Sequence, residues 1–210
     1  MNGVIAATLA RNDFIGSSDS VEGKHGLLVG YTNDPHPDKA VAGLGTTYET
    51  LKIGVKPYPS CRYTHAAIDA LIAMRREHNL TPDQIRKVEI GLHRNGITLT
   101  GDAATKRHPT SVVGGQFSMF FTGAIALDQG HFGWDDYDRL GDKAIDALAD
   151  KFDVVQDDRL EVGRTHPFGA RVSITTDDGT HERLYADPSG EPTRSEEHTS
   201  ELQSHVNLVC

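Results

Sequence analysis

The chain is 210 residues long, 37% hydrophobic and acidic, with a formal net charge of -9. That length is enough to bury a core, and that charge excludes both a nucleic-acid surface, which needs clustered Lys and Arg on one face, and adhesion to anionic lipid. No apolar run approaches the ~20 residues that span a bilayer, no signal-peptide build opens the chain, and two cysteines without CxxC spacing, Cys61 and Cys210, fit a reducing compartment, so a cytoplasmic protein is expected.

Residues 2–11 (NGVIAATLAR) are apolar or small all round and read as a helix with no N-cap ahead of it, the mark of a helix that has lost its beginning. A short helix is predicted to open at Asp19, and the polar, Pro- and Gly-rich stretch 36–50 reads as a linker. Residues 64–78 place Ile68, Leu71, Ile72 and Met74 at helical spacing, with charges on the other face. Thr81, Pro82 and Gln84 form a capping-box signature, and 87–93 alternates Val88, Ile90 and Leu92 against polar residues, as a half-buried strand does.

Residues 116–129 (QFSMFFTGAIALDQ) predict a buried helix closed by Gly130, preceded by a turn at Gly114 and Gly115. Asp142 is placed to cap a helix over 143–151, and 152–156 reads as a short strand. Two alternating runs, 170–176 and 180–186, flank Asp177, Asp178 and Gly179, a strong hairpin signal. Strands and helices mix without regular βαβ alternation, which favours α+β with an antiparallel sheet. From Arg194 the run RSEEHTSELQSH reads as the in-frame translation of a common short-read sequencing adapter, so 193–210 is set aside as an expected disordered tail.

The chemistry concentrates in ten residues: Lys56, Pro57, Tyr58, Pro59, Ser60, Cys61, Arg62, Tyr63, Thr64 and His65. The prolines fix φ and bias their predecessors toward extended backbone, so a stiff cationic elbow leads into the 64–78 helix. Such an elbow suits an anion, either a substrate carboxylate or a neighbouring Asp or Glu. Lys56 reads as a carboxylate anchor or as a solvated lysine. Arg62 reads as a bidentate clamp or as one half of an internal ion pair. His65, at a helix start where a neutral imidazole is favoured, reads as a proton acceptor or as a packed, hydrogen-bonded core histidine. Cys61 reads as a cleft residue or as an inert buried thiol. The remaining histidines show no HxH or HExxH spacing and no phosphate loop is present, so neither metal nor nucleotide is expected.

The elbow KPYPSCRYTHAAIDA, together with NGVIAATLA, EGKHG, QFSMFFTGAIALDQG, RVSITTDDGT and the following DPSGEP in that order, resembles the MmgE/PrpD family, which includes 2-methylcitrate dehydratase and cis-aconitate decarboxylase. The resemblance implies the end of an all-helical domain over 1–50 and an α+β lid over 51–192, with the active site in the cleft between such domains. It implies a hydro-lyase acting on a 2-methylcitrate-like di- or tricarboxylate without a cofactor or iron–sulfur cluster, with epimerase, decarboxylase or a non-catalytic lid fragment as alternatives. It implies a homodimeric full-length parent of which this chain is an incomplete, inactive piece. It places Lys56 where the family has a cleft-facing lysine; with His65, taken from its place at the helix start, Lys56 is a catalytic candidate, and Lys56, Cys61 and Arg62 are the candidate substrate contacts. Some decarboxylase relatives carry a histidine where Cys61 stands, which weakens the transfer of decarboxylation to this chain.

Overall fold

The computed structural model describes residues 1–161 and 168–194, except the side chains of Leu51 and Thr193, and it divides into two units, 1–51 and 52–210. The first unit carries helices α1 (Asn2–Arg11), α2 (Leu27–Tyr31) and α3 (Pro37–Val41). The helix expected from Asp19 is instead a pair of turns, with Gly23 N–H donating to Asp19 O and Leu27 N–H to Ser20 O, and helix resumes only at Leu27. Helix α3 lies inside the stretch read as a linker, with Pro37 in its first turn, where a missing N–H costs nothing. None of these three helices buries a residue, and Val4, Phe14, Ile15, Tyr31 and Leu44 are exposed.

The second unit holds the core. Helix α4 (Arg62–His78) buries Ala66, Ala67, Ile68, Ala70, Leu71 and Met74, and ends at Asn79 in the left-handed conformation (φ 50°). A capping box follows, Thr81 N–H donating to Gln84 Oε1 at 2.8 Å. Strand β1 (Lys87–Leu92) leads through short helical turns between Arg94 and Lys106 to α5 (Val112–Gln116), which contains the glycine pair predicted as a turn. The long helix predicted over 116–129 starts later: the chain breaks at Phe117, and Ser118 caps a separate α6 (Met119–Gln129), its Oγ accepting from Phe121 N–H at 3.0 Å. Gly130 closes α6 at φ 78°. Asp142 caps α7 (Lys143–Ala149), its carboxylate accepting from Ala144 N–H at 2.8 Å, and the chain continues into β2 (Phe152–Gln156), β3 (Ala170–Thr176) and β4 (Gly179–Tyr185).

These strands make one sheet in the order β2-β1-β3-β4. The α+β class holds, but the sheet is mixed: β1 with β3 and β3 with β4 are antiparallel, as expected, whereas β2 joins β1 in parallel, Val88 opposite Phe152. The reason is the connection, since α5 to α7 form a long crossover that returns the chain in its original direction. Val88, Ile90, Val172, Ile174 and Phe152 point to one face, on which α4 packs, with α6 against α4 and Phe152. Gly123 of α6 lets that helix approach β2, because a Cβ there would stand 2.7 Å from the Phe152 ring. Each Leu, Ile or Phe so buried contributes roughly 1.5–3 kcal/mol relative to exposure.

The opposite face is polar. Arg171, only 8% exposed, donates to Asp157 Oδ2 and Glu89 Oε1, each at 2.7 Å. No helix among the described residues is long and apolar enough to cross a membrane.

Candidate active site

The elbow is built from residues 54–61 and the first turn of α4. Its backbone is held at both ends and in the middle. Val55 N–H donates to Gly190 O at 2.8 Å, Ser60 N–H to Tyr58 O at 2.9 Å, and Cys61 N–H to Gln116 O at 2.8 Å. The Tyr137 hydroxyl donates to Pro59 O at 2.8 Å. Burial, reinforced by the Asp136 charge, raises the Tyr137 phenol above its ordinary value, which keeps it a donor. Thr64 Oγ1 donates to Cys61 O at 2.9 Å, so in its 2.8 Å contact with Ser60 Oγ the serine is the donor.

The side chains predicted to act are gathered here. Lys56 is exposed; its Nζ donates to Ser60 O at 3.4 Å, and among the described residues it pairs with no carboxylate. His65 is fully buried, and its Nε2 lies 3.3 Å from the same Ser60 carbonyl. A carbonyl only accepts, so Nε2 carries the proton and Nδ1 is the acceptor, which Arg62 Nη1 meets at 3.1 Å. Desolvation, then the Arg62 and Lys56 charges, push the imidazole down to about 3, so the ring is neutral at physiological pH with both nitrogens engaged. The Tyr58 ring packs edge-on against it at 5.3 Å. His65 thus has the surroundings of a packed core histidine, the second of its two readings.

Arg62 also sits in the second of its readings. Its Nε and Nη2 donate to Glu191 Oε1 at 3.0 and 2.5 Å, and its Nη1 reaches Val55 O at 3.0 Å. Cys61 is a half-buried free thiol at the N-cap of α4. Of the four residues, Lys56 is exposed, Cys61 is half-buried, and Arg62 and His65 bond to the frame.

Sequence reasoning missed the frame itself. Asp69, with a side chain 5% exposed, accepts from Tyr58 Oη, from Ser189 N–H and Oγ, and from Arg194 Nη1. The segment 187–194 therefore straps the elbow from outside. Its tight turn is at Gly190, whose φ of 82° and close approach to the Val55 carbonyl leave no room for a side chain. The PSG triplet was the available signal for a turn; nothing local indicates what that turn touches. No group of three His, Cys, Asp or Glu among the described residues is arranged to hold a metal. A cavity of about 440 Å³ lies at the other end of α4, lined by Ile72, Arg75, Arg76, Asn79, Thr81 and Gln129 among others, and is not part of the elbow.

Two comparisons bear on what this frame serves. The MmgE/PrpD C-terminal domain model matches residues 58–204. Its match starts at Tyr58, just after Lys56, and runs past Arg194 into the stretch read as adapter translation, whose structure beyond Arg194 lies outside the described residues. The chain is also similar to the cis-aconitate decarboxylase-like protein oryM of Aspergillus oryzae (strain ATCC 42149 / RIB 40), at 28% identity over 204 residues, covering 90% of this chain and 42% of that protein. The chain thus spans about two fifths of the length of that relative.

Proposed function

Because the chain belongs to the MmgE/PrpD family, we propose that its elbow grips one carboxylate of a small di- or tricarboxylate during a lyase reaction. The observation that carries this reading is Lys56. It is exposed, unpaired with any described carboxylate, and tied at its tip to the carbonyl just before the N-cap of a 17-residue helix. A cation about 4 Å from a carboxylate is worth roughly 4 kcal/mol at an effective dielectric near 20, and the part of that gained only as charge develops speeds the reaction tenfold for each 1.36 kcal/mol.

In this reading the reaction is loss or addition of water on a 2-methylcitrate-like acid by proton abstraction beside a carboxylate, without a cofactor, in a cytoplasmic homodimeric parent. Lys56 fixes and neutralises the carboxylate that stabilises the carbanion. Cys61, half-buried at the N-cap of the same helix, contacts the substrate body. His65, first considered as a proton carrier, orients the Ser60 carbonyl instead, since neither ring nitrogen is open to a substrate. The proton acceptor then belongs to a part of the parent outside this chain, and the 210-residue chain alone is expected to be inactive.

A second reading, decarboxylation, is favoured by the name of the fungal relative. It is weakened by Cys61 standing where some decarboxylase relatives carry a histidine. Full-length parent protein given 2-methylcitrate should show alkene absorbance growing in. A flat trace from folded protein removes the hydro-lyase reading, and carbon dioxide release from cis-aconitate would establish the second. Turnover by the 210-residue chain itself, abolished by Lys56→Ala, would overturn the expectation that it is inactive.

A further inference from the structure

We propose that Glu191, on the strap, is a positioning residue for Lys56, acting through Arg62 and His65 along a chain of hydrogen bonds. The links run from Glu191 Oε1 to the Arg62 guanidinium (2.5 and 3.0 Å), from Arg62 Nη1 to His65 Nδ1 (3.1 Å), from His65 Nε2 to Ser60 O (3.3 Å), and to that same oxygen from Lys56 Nζ (3.4 Å). Each link has one direction. Guanidinium and ammonium groups only donate and carboxylates and carbonyls only accept, so the one tautomeric choice in the chain, at His65, is decided by its neighbours.

Glu191 is what keeps Arg62 in place. The Arg62 side chain is 12% exposed, and a guanidinium that far out of water is stable only against a counter-charge. Described residues place no other carboxylate on it. Removing the Glu191 charge drives Arg62 toward solvent and takes its donor away from Nδ1. His65 is then free to carry its proton on Nδ1, where Nε2 becomes an acceptor facing an acceptor, and the Ser60 carbonyl loses the donor that holds it under Lys56. The strap is built to deliver Glu191 to this spot, through the Gly190 turn, the Val55–Gly190 hydrogen bond, and Ser189 bound to Asp69. Glu191 also occupies Arg62, so the elbow presents one cation, Lys56, and not two.

This inference takes Lys56 as the substrate anchor from the proposal above, but its test needs no substrate. In the ¹⁵N-labelled 210-residue chain, long-range ¹H–¹⁵N spectra should show His65 as a single Nε2-protonated tautomer from pH 5 to 8, and reductively ¹³C-methylated Lys56, assigned by Lys56→Arg, should give one sharp resonance. Glu191→Ala should lose the single-tautomer pattern and shift the Lys56 resonance. Glu191→Gln, the gentler variant if alanine compromises folding, should do the same to a smaller extent. An unchanged His65 pattern together with an unmoved Lys56 resonance in a folded variant overturns the relay. A catalytically silent parent with the relay intact would instead count against the lyase reading alone.

Discussion

The Tyr58 hydroxyl donates to Asp69 Oδ1 at 2.7 Å while the other oxygen of the same carboxylate takes both the amide and the hydroxyl of Ser189. One buried acid on α4 thus divides itself between the elbow that precedes the helix and the strap that follows β4. An ion buried this deeply is tolerable only when its lone pairs are filled, and here two segments far apart in sequence fill them. The shape of the elbow is therefore a property of the whole unit and not of its prolines alone.

His65 makes stability depend on pH. Its folded value, about 3, lies below the unfolded 6.5, so between those values the unfolded chain binds the extra proton. The stabilisation is complete above about pH 6.5 and falls by up to about 1.4 kcal/mol per unit as pH drops toward 3. Urea midpoints of His65→Gln should lack this histidine's share of the slope; an identical slope in both proteins would show that the imidazole is accessible to protons.

Lys56→Ala separates function from folding. The side chain is exposed, so unfolding should change by no more than about 0.5 kcal/mol. In the full-length parent kcat/KM for the polycarboxylate should fall about a hundredfold or more. An unaltered kcat/KM would end the claim that Lys56 anchors the substrate.

Gly190→Ala attacks the strap. A Cβ at φ 82° would collide with the Val55 carbonyl, so the turn must open and the Val55–Gly190 hydrogen bond with it. A loss of about 2 kcal/mol or more is expected by chemical denaturation. Amide exchange should accelerate first at Val55 and Ser189, and uniform protection across both segments would contradict the strap's role.

On the polar face of the sheet, Gly91 makes room for an ion pair. A Cβ there would come within 2.9 Å of Asp157 Oδ2, the atom that accepts from Arg171. Hydrogen bonds from Arg159 and then Arg171 hold the Asp157 carboxyl well below the usual carboxylate range. Gly91→Ala should lower stability by about 1–3 kcal/mol, with the urea midpoint moving and the m-value constant. A rise in stability would mean that the pair shifts aside at no cost.

What the residues disclosed in advance were the local features. The Ile68, Leu71 and Met74 stripe, the Thr81 capping box, the Val88, Ile90 and Leu92 alternation and the Asp-Gly turn are each decided within a few residues, and each appears where expected. The inward turn of His65 was also legible, because it precedes Ile68 by three and Ile72 by seven and so shares their face. The break at Phe117 was readable only from Ser118 as a cap inside an apolar run. The parallel pairing of β2 and the contacts of Glu191 with Arg62 join segments too distant for any periodicity to register them. The Glu191 contact turns Arg62 inward and leaves Lys56 as the exposed cation of the elbow.

Strand β1 lies inside the sheet, yet both of its neighbours come later, one beginning at Phe152 and the other at Ala170. A chain emerging from the ribosome must hold this apolar strand without a partner until β2 has been made, and with one edge open until β3 follows. Closing loops of that length is entropically slow, and an unpaired strand in the meantime is an invitation to aggregate. A nascent chain halted before Thr176 would still lack the complete β3 that covers one edge of β1.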